Sequence, residues 1–351
     1  MVIENPYYSA DVQGPYETHD IGDLTLAGGD TLRGCRLAYS TAGTLNAAKD
    51  NAILVTTWYS GTHGIMRDAY IGPGRALDPA RHFIITVNQL GGGLSSSPHN
   101  TAGPYGRGRF PRLSIADDVV AQERLLREHF GIEQLELVVG GSMGAQQTYE
   151  WAIRFPDKVK RAAALAGTAH PYPHCQIFVE NLREAIVSDP AWRDGWYAAA
   201  GDVHLGLRRH TLVFALYVLS NAFWEQEAWR ALGFTSRHDF HVGFLEGYFQ
   251  EMDPAVLYAQ AWKWMHGDVS RHTGGDLAAA LGRITAKTFV MPISTDRFFT
   301  VEDCAAEQKL IRGSELRVIE DVHGHASLFN LVPTFAEQFD RAVDDLLATP
   351  A

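Results

Sequence analysis

The sequence predicts an α/β fold, in which a mainly parallel β-sheet carries helices on both faces. Short apolar, β-branched runs recur along the chain, as expected for strands that are buried on both sides. Several of these runs are followed by stretches with helical spacing, and alternating strands and helices are typical of a parallel sheet. The chain has 351 residues, 46% hydrophobic and 20% charged, which suits one large domain with an insertion, or two domains.

The expected elements follow one another in a simple order. Residues 1–20 look irregular, and residues 23–43 alternate apolar and polar side chains around Gly28-Gly29-Asp30, which predicts an antiparallel hairpin at a sheet edge. Buried strands are expected at 51–59, 82–88, 135–139, 161–168, 288–294 and 316–320. Helices are expected at 114–130, 145–155, 301–311 and 333–347, the first of them behind Ser114 as N-cap.

The middle of the chain has a different character. Residues 170–283 are helical in spacing, and six of the eight tryptophans lie there. We expect most of these rings to pack helices against one another, so this stretch is interpreted as a helical lid. The predicted organisation is a first core part at 1–169, the lid at 170–283 and a second core part at 284–351.

Composition excludes several classes of protein. The formal net charge is −11, so no basic surplus exists to neutralise nucleic acid or an anionic membrane. The three cysteines are scattered, which argues against a disulfide framework and a zinc site. The N-terminus lacks the features of a signal peptide, and no run approaches the ~18 apolar residues of a membrane span. A cytoplasmic protein is expected.

The stretch with the clearest chemical meaning is LELVVGGSMGA at 135–145. It places a G-x-S-x-G motif between an apolar strand and a helix, which is the context of a nucleophile elbow and predicts the α/β-hydrolase fold. Any side chain at Gly140 or Gly144 would collide with a neighbouring strand or helix. Ser142 is therefore the expected nucleophile, at a helix N-terminus that favours developing negative charge.

An acid and a base are expected later in the chain, in that order. Asp296 follows the strand at 288–294 in ISTDRFF, and His325 follows the strand at 316–320 in DVHGHASLF. Alone, Asp296 could be a helix cap and His325 a surface histidine, but the ordered set with Ser142 predicts a catalytic triad. His323 is a rival base. Asp321 and Glu320 are rival acids that lie too near the histidine in sequence to orient it easily.

An oxyanion hole needs two backbone N–H groups. One is expected from Met143, directly after the nucleophile, and the other from Tyr59, after the first core strand. His63 in the following loop either contacts substrate or is an exposed histidine. The Gly91-Gly92-Gly93 run does not open a helix in a dinucleotide or P-loop pattern, so no cofactor and no metal are expected.

Taken together, these residues resemble the homoserine O-acetyltransferase branch of the α/β-hydrolase superfamily over nearly the whole chain. The matching stretches are AGTLNAAKDNAILV, YGRGRFPRLSIADDVVAQ, GGSMGAQQTYEWAIRFPDKV, ISTDRFF and the Gly-His before ASLF. The resemblance implies an acetyl-enzyme on Ser142, the triad named above, a helical lid and a homodimer formed through the lid.

The chain departs from the transferases at the substrate-binding positions. Transferases carry an Asp directly after the catalytic His, and here that position is Ala326. Their lid Arg and Tyr fall on Thr211 and Val218 when the lid helix is aligned without gaps, although Arg208 or Arg209 could restore the charge after a shift. Because each lost charge-assisted contact costs a few kcal/mol, and ~2.7 kcal/mol is about a hundredfold in affinity, homoserine should not be recognised.

The expected function is therefore that of a serine esterase acting on small esters, acetyl esters above all, like the hydrolytic members of this family. One alternative is an O-acetyltransferase that uses acetyl-CoA and homoserine or another alcohol. Another is a catalytically silent binding protein on a hydrolase fold, against which the complete triad weighs. Labelling by a serine-directed phosphonate would distinguish an enzyme from the silent protein.

Overall fold

The computed structural model describes residues 2–350, and an eight-stranded sheet forms the centre of the fold. The strands are β1 (Glu17–Thr25), β2 (Thr31–Ala42), β3 (Ala52–Thr56), β4 (Phe83–Val87), β5 (Leu137–Gly141), β6 (Arg161–Leu165), β7 (Lys287–Met291) and β8 (Glu315–Leu316). Their order across the sheet is β1-β2-β4-β3-β5-β6-β7-β8. β2 pairs antiparallel with β1 and with β4, and the remaining pairs are parallel. The predicted parallel sheet and edge hairpin are confirmed.

The helices pack on both faces of this sheet, and most of them are short. They are α1 (Ala10–Gln13), α2 (His63–Tyr70), α3 (Ile115–Arg124), α4 (Met143–Arg154), α5 (Pro173–Val187), α6 (His204–Val218), α7 (Asn221–Glu225), α8 (Arg237–Phe240), α9 (Gly247–Gln250), α10 (Pro254–Met265), α11 (Leu277–Leu281), α12 (Val301–Gln308) and α13 (Pro333–Ala348). Helices α3 and α8 continue into π-helical turns at Leu125–Phe130 and His241–Glu246.

The central strands are buried on both faces, which is why they read as continuous apolar runs. In β3, Leu54 packs into the hydrophobic core on one side of the sheet, and its neighbours Ile53 and Val55 pack into the core on the other side. Every residue of β3, β4, β5 and β6 is buried. Side chains alternate across a strand, so one short sequence stretch supplies both cores.

The observed boundaries differ from the predicted ones at both edges of the sheet. β1 begins at Glu17, inside the segment predicted to be irregular, and that segment also holds α1. β8 has two residues where a strand over 316–320 was expected. Pro292 has no N–H to donate and interrupts the hydrogen-bond ladder after β7. Beyond it, the segments that follow β7 and β8 stay side by side through an isolated bridge between Ile293 and Ile319.

Residues 170–283, which we call the lid segment, hold helices α5 to α11 between β6 and β7. Most tryptophans of this segment are buried or half-buried among its helices, as expected, but Trp196 is 45% exposed. No helix within residues 2–350 combines the length and apolar character needed to cross a membrane. The division of the chain into core parts and lid at residues 169 and 283 stays a prediction.

A buried ion pair fastens α10 of the lid segment to α3 of the core. Lys263 Nζ lies 2.6 Å from Asp118 Oδ2 and 2.7 Å from the Leu90 carbonyl oxygen, and both charged side chains are almost fully buried. Asp118 also accepts a hydrogen bond from the Leu90 N–H at 2.7 Å. Together these bonds fix the position of α10 above the sheet.

Replacing Lys263 with methionine is expected to lower the free energy of unfolding by about 3 to 5 kcal/mol, because the Asp118 carboxylate would remain buried without its partner. Urea denaturation followed by circular dichroism would measure the loss. The matched control is Lys287→Met, which breaks a half-exposed pair with Glu315 at 3.0 Å and should cost at most about 1 kcal/mol. Equal losses in the two variants would contradict the role given to the buried pair.

Candidate active site

The serine of the G-x-S-x-G motif lies on a strained turn between β5 and α4. Its backbone dihedrals are φ 57° and ψ −123°, and Met143 is the first residue of α4. Non-glycine residues rarely adopt a positive φ, and such strain persists only where the surrounding structure enforces it. The turn places Ser142 at the carboxyl end of a central strand, where sites form in sheets of this type.

The two outer glycines of the motif are required by close packing against β3. A Cβ atom added at Gly140 would lie 2.0 Å from Thr56 Oγ1, and one added at Gly144 would lie 2.7 Å from the Thr56 carbonyl oxygen. Thr56 Oγ1 also donates a hydrogen bond to the Gly144 carbonyl oxygen at 2.9 Å. The collision expected from the sequence is therefore present, and β3 is the neighbour that causes it.

Replacing Gly140 with alanine is expected to displace the turn that carries Ser142 and to lower ester hydrolysis by at least about tenfold, with an overpacking cost of about 1 to 3 kcal/mol. Steady-state kinetics and denaturation would measure both effects. Gly28→Ala is the matched control, since a Cβ atom there meets no atom within 4 Å. Full activity in the Gly140 variant would contradict the packing argument.

The expected acid and base form a direct pair. Asp296 Oδ2 lies 2.6 Å from His325 Nδ1, and both side chains are buried. The other carboxylate oxygen accepts hydrogen bonds from the Phe298 and Phe299 N–H groups at 2.8 and 3.2 Å. These bonds fix the carboxylate, which in turn orients the imidazole. Ser142 and His325 line the same cavity.

The rival base forms a second, similar pair. His323 Nδ1 lies 2.6 Å from Asp321 Oδ1, and the same oxygen accepts from the His323 N–H at 2.8 Å. Burial alone would raise the pKa of Asp321, but the hydrogen bonds from His323 outweigh it and hold this pKa below its usual value. The His323 ring packs near Phe223 and does not line the cavity that contains Ser142.

Of the two backbone amides predicted for the oxyanion hole, one belongs to Tyr59, which lines this cavity, and the other to Met143, which directly follows Ser142. Met143 N–H is at the first position of α4 and so has no acceptor within that helix. Tyr59 lines the cavity, and its N–H donates to no backbone carbonyl in residues 2–350. The phenol of Tyr59 is held by His210 Nε2 at 3.0 Å and by the Leu257 carbonyl oxygen at 3.1 Å. Burial lowers the pKa of His210 to about 3, so this imidazole is neutral.

His63 does not have the place predicted for it. It is buried at the start of α2, and its N–H donates to Asn88 Oδ1 at 2.9 Å. The expectation of an exposed histidine is therefore wrong. The expected substrate contact stays a prediction, which the absence of His63 from the lining of the cavity with Ser142 does not support. Thr62 accepts from the Ile65 N–H as the N-cap of α2, and this Thr before a helix is the sequence signal that would have placed His63 correctly.

The cavity that contains Ser142 is small, with a volume of about 20 Å³, and mostly apolar. Its lining residues are Trp58, Tyr59, Ser60, Ser142, Phe214, Val218, Trp264, Phe298, His325, Leu328 and Phe329. Among them His325 is the one titratable group besides the phenol of Tyr59. Most of the aromatic residues that line the cavity were not predicted from the sequence, although Trp58 directly precedes Tyr59 and Phe298 lies two residues after Asp296. Across residues 2–350 no set of three His, Cys, Asp or Glu side chains is arranged to hold a metal ion.

The positions that bind homoserine in the transferases carry no charge toward this cavity. Val218 lines it, Ala326 is buried beside His325, and the Thr211 hydroxyl donates to the Leu207 carbonyl oxygen at 2.9 Å. Arg208 points to solvent and lies 3.3 Å from Glu246. Arg209 donates to Ser188 at 2.9 Å. Neither arginine replaces the missing charge.

Comparison with known proteins places this architecture in a family. Residues 61–330 match the family described as alpha/beta hydrolase fold. The solved structure of an acetylester hydrolase from Corynebacterium glutamicum superposes with a TM-score of 0.98 at 56% identity, over 99% of this chain and all of that one. An ethyl acetate hydrolase of Pseudomonas veronii is 53% identical over 99% of both chains. A homoserine O-acetyltransferase of Methanococcoides burtonii is 35% identical over 87% of this chain and 68% of that one.

The chain therefore belongs to the alpha/beta hydrolase fold family, in the branch that also contains homoserine O-acetyltransferases. The fold class and the resemblance predicted from the sequence are both confirmed. Within this family the chain is an enzyme of the carboxylic ester hydrolase class.

Proposed function

We propose that this protein is a serine esterase that hydrolyses small acetyl esters through an acyl-enzyme on Ser142. The observation that supports this most strongly is the cavity itself. It brings the serine of the elbow together with a histidine that is held by Asp296, and its remaining walls are apolar. Such a site can activate a serine hydroxyl but offers no ion-pairing group to a charged alcohol.

In the first half of the reaction, His325 Nε2 accepts the proton of Ser142 as the serine oxygen attacks the ester carbonyl. The Asp296 carboxylate keeps the proton on Nδ1 and stabilises the imidazolium that forms. Negative charge develops on the former carbonyl oxygen, and the N–H groups of Tyr59 and Met143 stabilise it. His325 then gives its proton to the leaving alcohol, which departs and leaves an acetyl ester on Ser142.

In the second half, water takes the place of the alcohol. His325 accepts one proton from water, whose oxygen attacks the acetyl carbonyl, and the same two N–H groups stabilise the second tetrahedral intermediate. Collapse of this intermediate returns the proton to Ser142 and releases acetate. No group other than these side chains, these amides and water is required.

The size of the cavity favours a short acyl group. Its volume of about 20 Å³ is bounded by the rings of Trp264, Phe298 and Phe329, which is space for about one or two water molecules. A long acyl chain would have to displace these well-packed rings, which costs about 1 to 3 kcal/mol or more. The names of the two hydrolytic relatives, an acetylester hydrolase and an ethyl acetate hydrolase, support the same choice.

A series of ethyl esters from acetate to octanoate tests the acyl preference. We expect kcat/KM to be highest for the acetate and to fall by at least about tenfold once the acyl chain no longer fits, which corresponds to about 1.4 kcal/mol of lost transition-state binding. Phe298→Ala should widen the cavity and flatten this profile. Rising activity toward the octanoate in the unmodified enzyme would overturn the proposed substrate class.

Acetyl-CoA-dependent O-acetylation of homoserine or another alcohol is the second candidate function. The relationship to the Methanococcoides burtonii enzyme favours it. The uncharged positions at Val218 and Ala326, and the outward orientation of Arg208 and Arg209, speak against homoserine as the acceptor. We therefore place it second.

We further propose that two copies associate through the lid segment. Leu205, Leu212 and Leu216 form one apolar stripe on α6, with exposed fractions of 40%, 54% and 62%, and Ile177 on the neighbouring α5 is 62% exposed. Apolar side chains grouped in this way suit a self-complementary contact.

Leu212→Glu is expected to shift the sedimentation of a dimer to that of a monomer, whereas Leu310→Glu, at an exposed leucine outside the lid segment, should not. A monomeric unmodified protein would contradict this assembly.

A further inference from the structure

A second and larger cavity lies between the core and the lid segment, away from Ser142. Its volume is about 270 Å³, compared with about 20 Å³ for the catalytic one, and the two share no lining residue within 2–350. Residues between 98 and 113 form its core side. Its lid side consists of α5, the turn at 192–195 and α10. The proposed esterase reaction uses no part of it.

Three arginines line this cavity: Arg107, Arg112 and Arg183. In the described part of the chain none of them forms a salt bridge, while one acidic residue, Asp194, lines the same space. The side chains therefore give the cavity an excess of positive charge in a protein whose formal net charge is −11. A concentration of unpaired guanidinium groups against the overall charge is the pattern of an anion site.

Aromatic rings hold two of these guanidinium groups in place. The Arg112 Cζ atom lies 4.1 Å from the centre of the Trp262 ring, and the Arg183 Cζ atom lies 4.2 Å from that of Tyr258 and 5.2 Å from that of Trp262. Stacking of this kind fixes the plane of a guanidinium but leaves its N–H groups free at the edge. Two cations packed on one indole ring also repel each other, and an anion between core and lid would relieve that repulsion.

Some donors of this cluster are buried without a hydrogen-bond partner. In residues 2–350, Arg107 Nε, Arg107 Nη2 and Arg183 Nε are shielded from solvent and bonded to no protein acceptor. A charged donor without a protein partner is costly unless water, an ion or a ligand accepts its hydrogen bond. Arg107 and Arg183 therefore keep hydrogen-bonding capacity that no protein acceptor in the described chain uses.

The rim of the cavity is held rigidly. Arg193, Asp194 and Gly195 have consecutive positive φ values of 47°, 52° and 82°. The chain packs so closely here that a Cβ atom at Gly108 would lie 2.2 Å from the Asp194 carbonyl oxygen. Strained backbone of this kind is found where a binding surface is fixed before the ligand arrives.

We propose that this cavity binds a small organic anion through a phosphate or carboxylate group, held by Arg107, Arg112 and Arg183. Both groups match the geometry of the guanidinium fork, and both would supply acceptors to the guanidinium N–H groups that line the cavity. The volume suits a compact metabolite-sized molecule rather than a polymer. The site is independent of the esterase reaction proposed for Ser142.

Isothermal titration of the purified protein with inorganic phosphate, and separately with citrate, tests the site and distinguishes the two anion classes. We expect one binding site per chain for at least one of them, with affinity that falls as salt is raised. Arg112→Gln and Arg183→Gln should each weaken binding by about tenfold or more. Arg312→Gln is the matched control, because Arg312 is exposed and distant in the sequence from this cluster, and it should bind as the unmodified protein does.

Two further measurements test whether the arginines bind the anion rather than only stabilise the fold, and whether the anion binds outside the cavity with Ser142. The anion should raise the melting temperature of the unmodified protein and not that of Arg183→Gln. Binding should also survive phosphonate blockage of Ser142, since the two cavities share no residue in the described chain. The proposal is overturned if neither anion binds at millimolar concentration, if the arginine variants bind normally, or if the phosphonate abolishes binding.

Discussion

Replacing Ser142 with alanine is expected to lower kcat for a short acetyl ester by on the order of 10⁴- to 10⁶-fold, with little change in stability. The reason is that no other hydroxyl lies on the strained turn that places this oxygen within the cavity of His325. Steady-state assays of alcohol release would measure the loss of turnover. Mass spectrometry of the protein after ester treatment would measure the loss of the acetyl-enzyme.

Ser60→Ala is the matched control for this substitution. Ser60 lines the same cavity, but its hydroxyl is bonded to Tyr248 at 3.1 Å and no strained turn presents it. Its removal should cost at most about tenfold, as expected for the loss of one neutral hydrogen bond of ~1 kcal/mol. If Ser142→Ala kept more than a small part of its activity, the nucleophile would have to be sought elsewhere.

The second large effect is expected from Asp296, one of two carboxylates that each hold a histidine close to Ser142 or to its cavity wall; the other carboxylate, Asp321, serves as its control. Asp296→Asn should lower kcat by about 10⁴-fold, because the amide would stabilise the wrong tautomer of His325. Asp321→Asn, which alters an equally short pair with His323, should leave kcat within about tenfold of its original value. The two pairs have the same 2.6 Å separation, so the comparison tests which of them takes part in catalysis.

Parallel measurements on His325→Ala and His323→Ala complete this comparison. We expect the first to be nearly inactive and the second to be chiefly less stable, since His323 is buried next to Phe223 and helps to close the turn before His325. Circular dichroism and thermal unfolding would separate the two effects. A larger kcat loss in the Asp321 or His323 variants than in their counterparts would reverse the assignment.

The strand, the turn that carries Ser142 and the helix after it could be predicted from the sequence because the whole signal is local. β5, the G-x-S-x-G turn and α4 occupy one short stretch, and the glycines are required by contacts with β3 that any such turn must make. Asp296 and His325 could also be proposed from the sequence as acid and base, because their order along the chain limits the choice and each follows a strand. The distance between their side chains supports that choice.

Features that depend on contacts distant in sequence could not be predicted. Asp118 and Lys263 are 145 residues apart, and neither has a local feature that indicates its partner. Phe214 and Trp264 of the lid segment line the cavity with Ser142 only because α6 and α10 pack over it. The arginine-lined cavity could not be predicted for the same reason, since Arg107 and Arg183 are distant in sequence and line one cavity only because the lid segment packs on the core.

We propose that the acetyl group on Ser142 passes to water and not to homoserine. The most direct measurement supplies the enzyme with a short acetyl ester in one series and with acetyl-CoA in another, each at increasing concentrations of homoserine. The yields of acetate and O-acetylhomoserine are then compared, and Ser142→Ala serves as the blank. We expect acetate from the ester at a rate that homoserine does not change, and no homoserine-dependent release of CoA. If O-acetylhomoserine increases with homoserine while acetate decreases, the esterase proposal is wrong and the enzyme is a transferase.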